Sequence, residues 1–295
     1  MERRTYDLPS RGGTMAAVHF GRVSNPLKLV FLHANGFCAQ AYAEVLEPLG
    51  LHVMALDLRG HGRTELAAEP GKLTSWNLFR DDVVAFFEAH VDRPVMLAGH
   101  SLGAVVGMLA ARKLGGRING YVGLDPVLLP RAWRFVARLP GYRAYSRRRF
   151  PLARAAGRRR DVFDSREAAF AHYQGRGAYK RFPDAVLRDY LAGGLCREGE
   201  MFRLACAPAW EQAIFTAQTH DALGAARALP RFSRVAFAGR GAPQTPGARK
   251  AVARVLGPDR VSRDEGVGHL FPLEQPELAT EVLRLALQEV GFARR

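Results

Sequence analysis

The chain has 295 residues, 48% of them apolar and 24% charged, which is enough apolar material for a large buried core and excludes a disordered chain. Its three cysteines are too few and too scattered for a disulfide framework or a metal knuckle, so we expect a reducing, cytoplasmic location. The N-terminal residues lack the apolar segment of a secretory signal. The longest apolar run, residues 95–111, is broken by a His-Ser pair and by glycines, so we expect no transmembrane segment.

Short Val/Leu-rich segments alternate with helix-like segments along most of the chain. The predicted strands cover residues 5–8, 14–20, 27–33, 52–58, 94–100, 121–127 and 233–239, with a weaker one at 259–266. The predicted helices cover residues 40–49, 76–90, 102–114, 246–256 and 276–290. This order predicts a mostly parallel sheet with helices packed against it.

The alternation stops between residues 128 and 220, where we expect no strand. Arg-rich and aromatic segments fill this stretch, and residues 131–181 hold fifteen Arg or Lys against three Asp or Glu, so their net charge of +12 is most of the total of +15. We therefore predict a helical, Arg-rich cap at 128–220 between two parts of one core, 1–127 and 221–295. The charge is typical of a solvated helical face. It also motivates the hypothesis of an anionic substrate or partner, although no nucleic-acid-binding motif accompanies it.

The segment GHSLG, residues 99–103, follows a predicted buried strand and precedes an apolar helix. Glycines two positions on either side of Ser101 let the backbone turn sharply, so that the hydroxyl projects into a cleft. Ser101 is therefore the candidate nucleophile. The backbone N–H of Leu102 would lie at the helix N-terminus, where it can stabilise an oxyanion.

Two further turns carry candidate groups. HANGF, residues 33–37, follows a predicted strand, and we expect the backbone N–H of Asn35, with Gly36 as the alternative, to be the second oxyanion donor. GVGHLF, residues 266–271, places His269 between the last predicted strand and the final helix, where it can act as the general base.

These segments, with DLRGHGRT between them, resemble in order and spacing those of the α/β-hydrolase family. The resemblance implies an eight-stranded sheet with helices on both faces, a helical lid after the sixth strand, a Ser-acid-His triad, and neither metal nor organic cofactor. It also implies that Asp57 and Arg59 shape a turn beside the site.

The chain departs from the family pattern at the triad acid. Members of the family usually have an Asp just after the seventh strand, where this sequence has Ala242. Asp125, in GLDP at the end of the sixth predicted strand, would lie beside the strand that precedes Ser101, and it is our candidate acid. Asp221 and Asp264 remain alternatives.

The predicted activity is that of a serine hydrolase acting on an ester, thioester or related carbonyl through an acyl-enzyme. A C–C bond hydrolase with the same triad and a non-catalytic binding protein of the same fold are the alternatives. Candidate substrate contacts are five residues from the first half of the chain: Phe37, His100, Trp133, Phe135 and Tyr142. We expect a small-molecule substrate; the sequence does not determine the oligomeric state.

Overall fold

A computed structural model describes residues 1–241 and 244–292 of the chain. Within them the strands are β1 (Glu2–Leu8), β2 (Gly13–Phe20), β3 (Leu29–Leu32), β4 (Val53–Leu56), β5 (Val95–His100), β6 (Ile118–Leu124), β7 (Val162–Phe163), β8 (Leu195–Glu198), β9 (Met201–Leu204), β10 (Phe232–Arg240) and β11 (Val261–Gly268). The α-helices are α1 (Ala43–Leu46), α2 (Asn77–His90), α3 (Leu102–Leu114), α4 (Trp133–Val136), α5 (Tyr142–Arg149), α6 (Pro151–Ala156), α7 (Arg166–Tyr173), α8 (Asp184–Gly194), α9 (Pro208–Thr216), α10 (Ala222–Ala225), α11 (Pro246–Leu256), α12 (Phe271–Glu274) and α13 (Pro276–Glu289).

The main sheet has eight strands in the order β1-β2-β4-β3-β5-β6-β10-β11. β1 and β2 pair antiparallel, β2 pairs antiparallel with β4, and every later pair is parallel. Parallel strands all end at the same edge, so the loops after β3, β5, β6 and β11 can meet there.

Helices cover both faces of this sheet, which explains why its central strands are apolar on both sides. Along β3, Val30 and Leu32 belong to one buried cluster with α2 and α3, whereas Leu29 and Phe31 belong to a second cluster with α1 and α13. Successive side chains of a strand point to opposite faces, so one four-residue strand contributes to both halves of the core. The predicted α/β-hydrolase fold is confirmed.

The segment between β6 and β10 is the lid position expected from the sequence, but it is not entirely helical. β7, β9 and β8 form a small antiparallel sheet within it, so the expectation that residues 128–220 contain no strand is wrong. β8 and β9 are joined by two residues, and the first, Gly199, has a φ of 62°, a conformation that glycine adopts without strain. This glycine is the hairpin signal that the sequence analysis missed.

Candidate active site

Ser101 lies between the last residue of β5 and the first residue of α3. Its φ of 53° and ψ of −110° turn the chain sharply from strand to helix, and its N–H donates to Leu124 O at 2.9 Å. A Cβ on Gly103 would lie 2.1 Å from Leu32 O, and one on Gly99 would lie 2.5 Å from Gly103 C. Both glycines are therefore needed for the turn, and α3 begins directly against the end of β3.

The side chains of Ser101, His269 and Asp125 form one continuous hydrogen-bonded network. Ser101 Oγ is 2.9 Å from His269 Nε2, and His269 Nδ1 is 2.6 Å from Asp125 Oδ2. The Asp125 side chain is fully buried, whereas about a quarter of the His269 side chain is exposed. With a proton on Nδ1 directed at the carboxylate, Nε2 is free to accept the serine proton.

Asp125 follows β6 directly and is held there by β10. Its φ is 42°, its N–H donates to Ala236 O at 2.8 Å, and its Oδ1 accepts the Ala238 N–H at 3.0 Å. One carboxylate oxygen is therefore fixed by the backbone of β10 while the other faces His269.

The alternative acids are engaged elsewhere. Asp221 accepts the Gly224 N–H at the start of α10 and forms ion pairs with Arg131 and Arg134. Asp264 is exposed on β11, where its Oδ1 accepts the Gly266 N–H at 2.7 Å. Ala242, the position at which the family usually has its acid, lies outside the described residues.

The turn after β3 leaves one backbone donor available. Gly36 N–H donates to His61 Nε2 at 3.1 Å, and Phe37 N–H donates to Ala34 O at 3.2 Å. In the described structure the Asn35 N–H has no hydrogen-bond partner. Together with the Leu102 N–H at the first position of α3, it can serve as an oxyanion donor, whereas the Gly36 N–H is occupied.

A buried hydrogen-bond relay connects this turn with the loop that bears His269. His100 Nε2 donates to His269 O at 2.9 Å, and Tyr42 Oη is 2.7 Å from His100 Nδ1. Tyr42 Oη also accepts the Ala34 N–H at 3.1 Å. Burial holds the pKa of His100 well below its ordinary value, and a neutral ring with its proton on Nε2 fits both contacts.

His100 is therefore not a substrate contact. Its side chain is fully buried, and both ring nitrogens are bonded within the protein. We correct its expected role to that of a residue that positions the His269 loop. Tyr42, which the sequence analysis did not select, shares this role.

Two other buried histidines hold the turn after β3 against the DLRGHG segment. His33 Nε2 accepts the Leu58 N–H at 2.9 Å, and His61 Nδ1 donates to Arg59 O at 3.0 Å. Desolvation lowers the pKa of His33 to about 4 and, with the adjacent His33 as a second cause, that of His61 to about 3. His33 can accept the Leu58 N–H, and His61 can accept the Gly36 N–H, only while each ring is neutral.

The buried carboxylates beside this segment also have backbone or guanidinium partners. Asp57 accepts the Ala39 N–H at 2.8 Å and the Arg63 N–H at 2.9 Å. Arg59 forms a two-point ion pair with Asp82, at 2.7 and 2.8 Å, in which both side chains are almost fully buried. These contacts fit the structural role expected for Asp57 and Arg59.

The segment after β6 contacts the turn after β3 through α9. Asn35 Nδ2 donates to Glu211 O at 3.1 Å, and a Cβ on Gly36 would lie 2.7 Å from Glu211 Oε1. The Glu211 carboxylate pairs with Arg159 at 2.9 Å. The Arg159 guanidinium also donates to the hydroxyl groups of three tyrosines, Tyr173, Tyr179 and Tyr190.

The predicted aromatic contacts do not share one environment. Phe37 is buried and packs against the rings of Tyr179 and Tyr190. Trp133 and Tyr142 pack against each other, and Trp133 Nε1 donates to Tyr142 Oη at 3.0 Å. Phe135 is 54% exposed on the outside of α4, which does not fit its expected role as a substrate contact.

No group of three or more potential metal ligands occurs among residues 1–241 and 244–292. In the same part of the chain, no helix combines the length and apolar character that would be needed to cross a bilayer.

The comparison with protein families decides the classification. The sequence model of the alpha/beta hydrolase family matches residues 29–281 of the chain. The chain belongs to the α/β-hydrolase family. The match begins at β3 and extends into α13, so it includes the turns that bear Asn35, Ser101, Asp125 and His269.

Similarity to individual α/β hydrolases is partial in sequence and nearly complete in fold. Human monoglyceride lipase is 33% identical over 35% of this chain and 36% of the lipase, and mouse protein phosphatase methylesterase 1 is 31% identical over 34% of this chain and 27% of the esterase. The chain thus matches only about a third of the length of these relatives. The crystal structure of E-2-(acetamidomethylene)succinate hydrolase superposes with a TM-score of 0.75 at 21% identity and covers 97% of this chain and 99% of that one. A thioesterase domain from the curacin biosynthetic pathway superposes with a TM-score of 0.72 at 16% identity and covers 96% of this chain and 99% of that one.

Proposed function

We propose that the protein is a serine hydrolase that cleaves an ester, thioester or related carbonyl compound. The observation that carries the proposal is the hydrogen-bonded network of Ser101, His269 and Asp125. Ser101 Oγ lies 2.9 Å from His269 Nε2, and His269 Nδ1 lies 2.6 Å from Asp125 Oδ2. A binding protein that had lost catalysis would not need a serine, an imidazole and a buried carboxylate in this geometry. The similarity to esterases and lipases supports the same class of reaction.

In the proposed mechanism Ser101 Oγ attacks the substrate carbonyl carbon and its proton moves to His269 Nε2. The negative charge on the tetrahedral oxygen is stabilised by the N–H groups of Leu102 and Asn35. His269 then gives its proton to the leaving group, and an acyl-enzyme remains. Water, deprotonated by His269, attacks the acyl carbon and releases the acid and the free Ser101 hydroxyl. Asp125 stabilises the imidazolium in both steps and does not itself take up a proton.

We further propose that residues 128–220 act as a cap that determines substrate choice. Its α9 contacts the turn that bears Asn35, and Phe37 packs against tyrosines of the same segment, so a change in the cap is transmitted to the oxyanion donors. The arginine excess of the cap supports an anionic substrate, because a basic surface raises the local concentration of anions. If neutral esters and matched carboxylate-bearing esters showed the same salt dependence of kcat/KM, the anionic substrate would be excluded.

The activity is tested with a fluorophosphonate probe and a panel of ester and thioester substrates of graded acyl length. We expect the probe to label the wild-type protein and a Ser262→Ala control, in which an exposed serine of β11 is replaced, but not Ser101→Ala. Hydrolysis should be lost in the same variant. Retention of label or hydrolysis in Ser101→Ala would refute the proposed nucleophile. Labelling without hydrolysis of any panel member would direct the search to C–C bond substrates.

A further inference from the structure

Helices α4 to α6 carry a surface of unusual composition, which we call the α4–α6 patch and define as residues 131–160. It contains eleven arginines and neither Asp nor Glu. Most of these arginines are exposed: Arg131, Arg138, Arg147, Arg148, Arg149, Arg154, Arg158 and Arg160. The positive charge of the protein is therefore concentrated on one outer part of the cap.

The same patch exposes large apolar side chains. Nine such side chains are well exposed in the described part of the chain, and five of them lie in the patch: Phe135, Val136, Leu139, Tyr145 and Leu152. Leu139, Tyr145 and Leu152 are 60–64% exposed. Single exposed apolar residues need no explanation, but five within eighteen residues mark an interaction surface.

The three helices form one unit, which places these groups on its outside. The Trp133 ring of α4 lies 6.4 Å from the Tyr142 ring and 6.3 Å from the Phe150 ring, between α5 and α6. Ser146 of α5 and Ala153 of α6 are fully buried. The inward positions of the helices are thus taken up by packing, and the remaining arginine and apolar side chains face solvent.

Some arginines of the patch have partners within the protein, and others have no carboxylate partner. Arg131 and Arg134 pair with Asp221, and Arg143 donates to the carbonyl oxygens of Pro70 and Gly71, so these three attach the patch to the rest of the molecule. Arg159 is paired with Glu211 inside the same segment. In the described structure, no carboxylate lies within ion-pair distance of Arg138, Arg147, Arg148, Arg149, Arg154 or Arg158. These six charges remain available to an external anion.

We infer that the α4–α6 patch docks the protein onto an anionic phospholipid bilayer. The unpaired arginines complement the phosphate and acidic groups at the bilayer surface, and the side chains of Leu139 and Leu152 enter the boundary of the acyl chains. A nucleic acid would use the arginines but offers no hydrocarbon phase to the exposed leucines. Charge and apolar insertion together give reversible attachment of the kind that peripheral proteins show.

The contribution of charge is tested by sedimentation with vesicles. We expect the wild-type protein to bind vesicles of phosphatidylcholine that contain about 30% phosphatidylglycerol and to bind pure phosphatidylcholine vesicles only weakly. Added salt should release the bound protein, because it screens the charges. The triple variant Arg147→Gln, Arg148→Gln, Arg149→Gln should partition about 100-fold less, because each arginine near such a surface changes the partition coefficient roughly fivefold. A matched control removes three exposed charges outside the patch, Arg22→Gln, Lys250→Gln and Arg254→Gln, and should bind much more tightly than the patch variant. Equal binding by the two triple variants, or no binding of the wild type to either vesicle, would overturn the inference.

The contribution of the apolar side chains separates a bilayer from a nucleic acid. Leu139→Ser with Leu152→Ser should weaken binding to the anionic vesicles at least tenfold, whereas Leu278→Ser with Leu285→Ser, two exposed leucines of α13, should not. All four positions are solvent-exposed, and the circular dichroism spectrum of each variant verifies folding. Tight binding to a DNA duplex that the patch leucines do not affect, with vesicle binding equally unaffected, would identify a surface that recognises charge alone.

Discussion

Replacing Asp125 by Asn changes one atom of the candidate triad and should nearly abolish turnover. Asp125 Oδ1 accepts the Ala238 N–H at 3.0 Å, so an amide at this position must keep its oxygen toward Ala238 and direct its NH₂ group at His269. His269 Nδ1 would then have to accept a hydrogen bond from this amide, which places the single ring proton on Nε2, the atom that must receive the proton of Ser101.

The size of the effect follows from this change of tautomer. The same replacement in a serine protease triad lowers kcat about 10,000-fold, which corresponds to roughly 5.4 kcal/mol of transition-state stabilisation. We expect a similar loss here, because the 2.6 Å contact between His269 Nδ1 and Asp125 Oδ2 has the same partners and the carboxylate is fully buried.

The assay compares kcat and kcat/KM on the best ester of the panel for the wild type and three variants. Asp264→Asn and Asp221→Asn are the matched controls, since each removes one carboxylate that the sequence leaves as an alternative. Melting curves separate loss of catalysis from loss of fold. Turnover within tenfold of the wild type in Asp125→Asn, or an equal loss in either control, would show that the reasoning about the acid is wrong.

Three further predictions concern the surroundings of the triad. Gly36→Ala should lower kcat about 100-fold or more, because a Cβ at this position meets the Glu211 carboxylate at 2.7 Å and displaces the turn that bears Asn35; an unchanged kcat would argue against the proposed oxyanion donors. Asp82→Asn should lower the free energy of unfolding by about 3–5 kcal/mol, because it leaves a buried guanidinium without its counter-charge, and denaturant unfolding that gave a loss under 1 kcal/mol would contradict this. The free energy of unfolding should also decrease as the pH falls from 6.5 toward 4, because His33 and His61 have pKa values of about 4 and about 3 in the fold and nearer 6.5 when unfolded. The unfolded chain therefore binds more protons than the folded chain in this pH window. A melting temperature that rose as the pH was lowered from 6.5 to 5 would show that these rings do not limit stability in acid.

The sequence predicts the elements whose signals are local. Helix 102–114 begins after the turn that bears Ser101 and ends before glycine, and the structure gives α3 the same bounds. Helix 246–256 is likewise confirmed as α11, because Pro246 and Gly257 mark its ends in the sequence. The position of the candidate groups at one edge of the sheet also follows from the sequence, since each group was expected directly after a strand.

Features that depend on distant partners are not visible in the sequence. Tyr42 and His100 are 58 residues apart and meet only because β3 and β5 are neighbours in the sheet. The β8–β9 hairpin lies in a segment whose arginines and short strands hide the alternation of apolar residues. The pairing of Arg159 with Glu211 needs the folded segment between β6 and β10, and no spacing in the sequence indicates it.

The positive φ angles of Ser101 and Asp125 are the only ones among non-glycine residues of the described structure. A side chain in such a conformation costs of the order of 1–3 kcal/mol, and here both instances fall on members of the candidate triad. The two strained residues thus lower the stability of the fold at the positions where the chemistry is expected. A Ser101→Gly variant should melt at a higher temperature than the wild type while losing its activity. Selection for thermal stability alone would therefore favour loss of the candidate nucleophile.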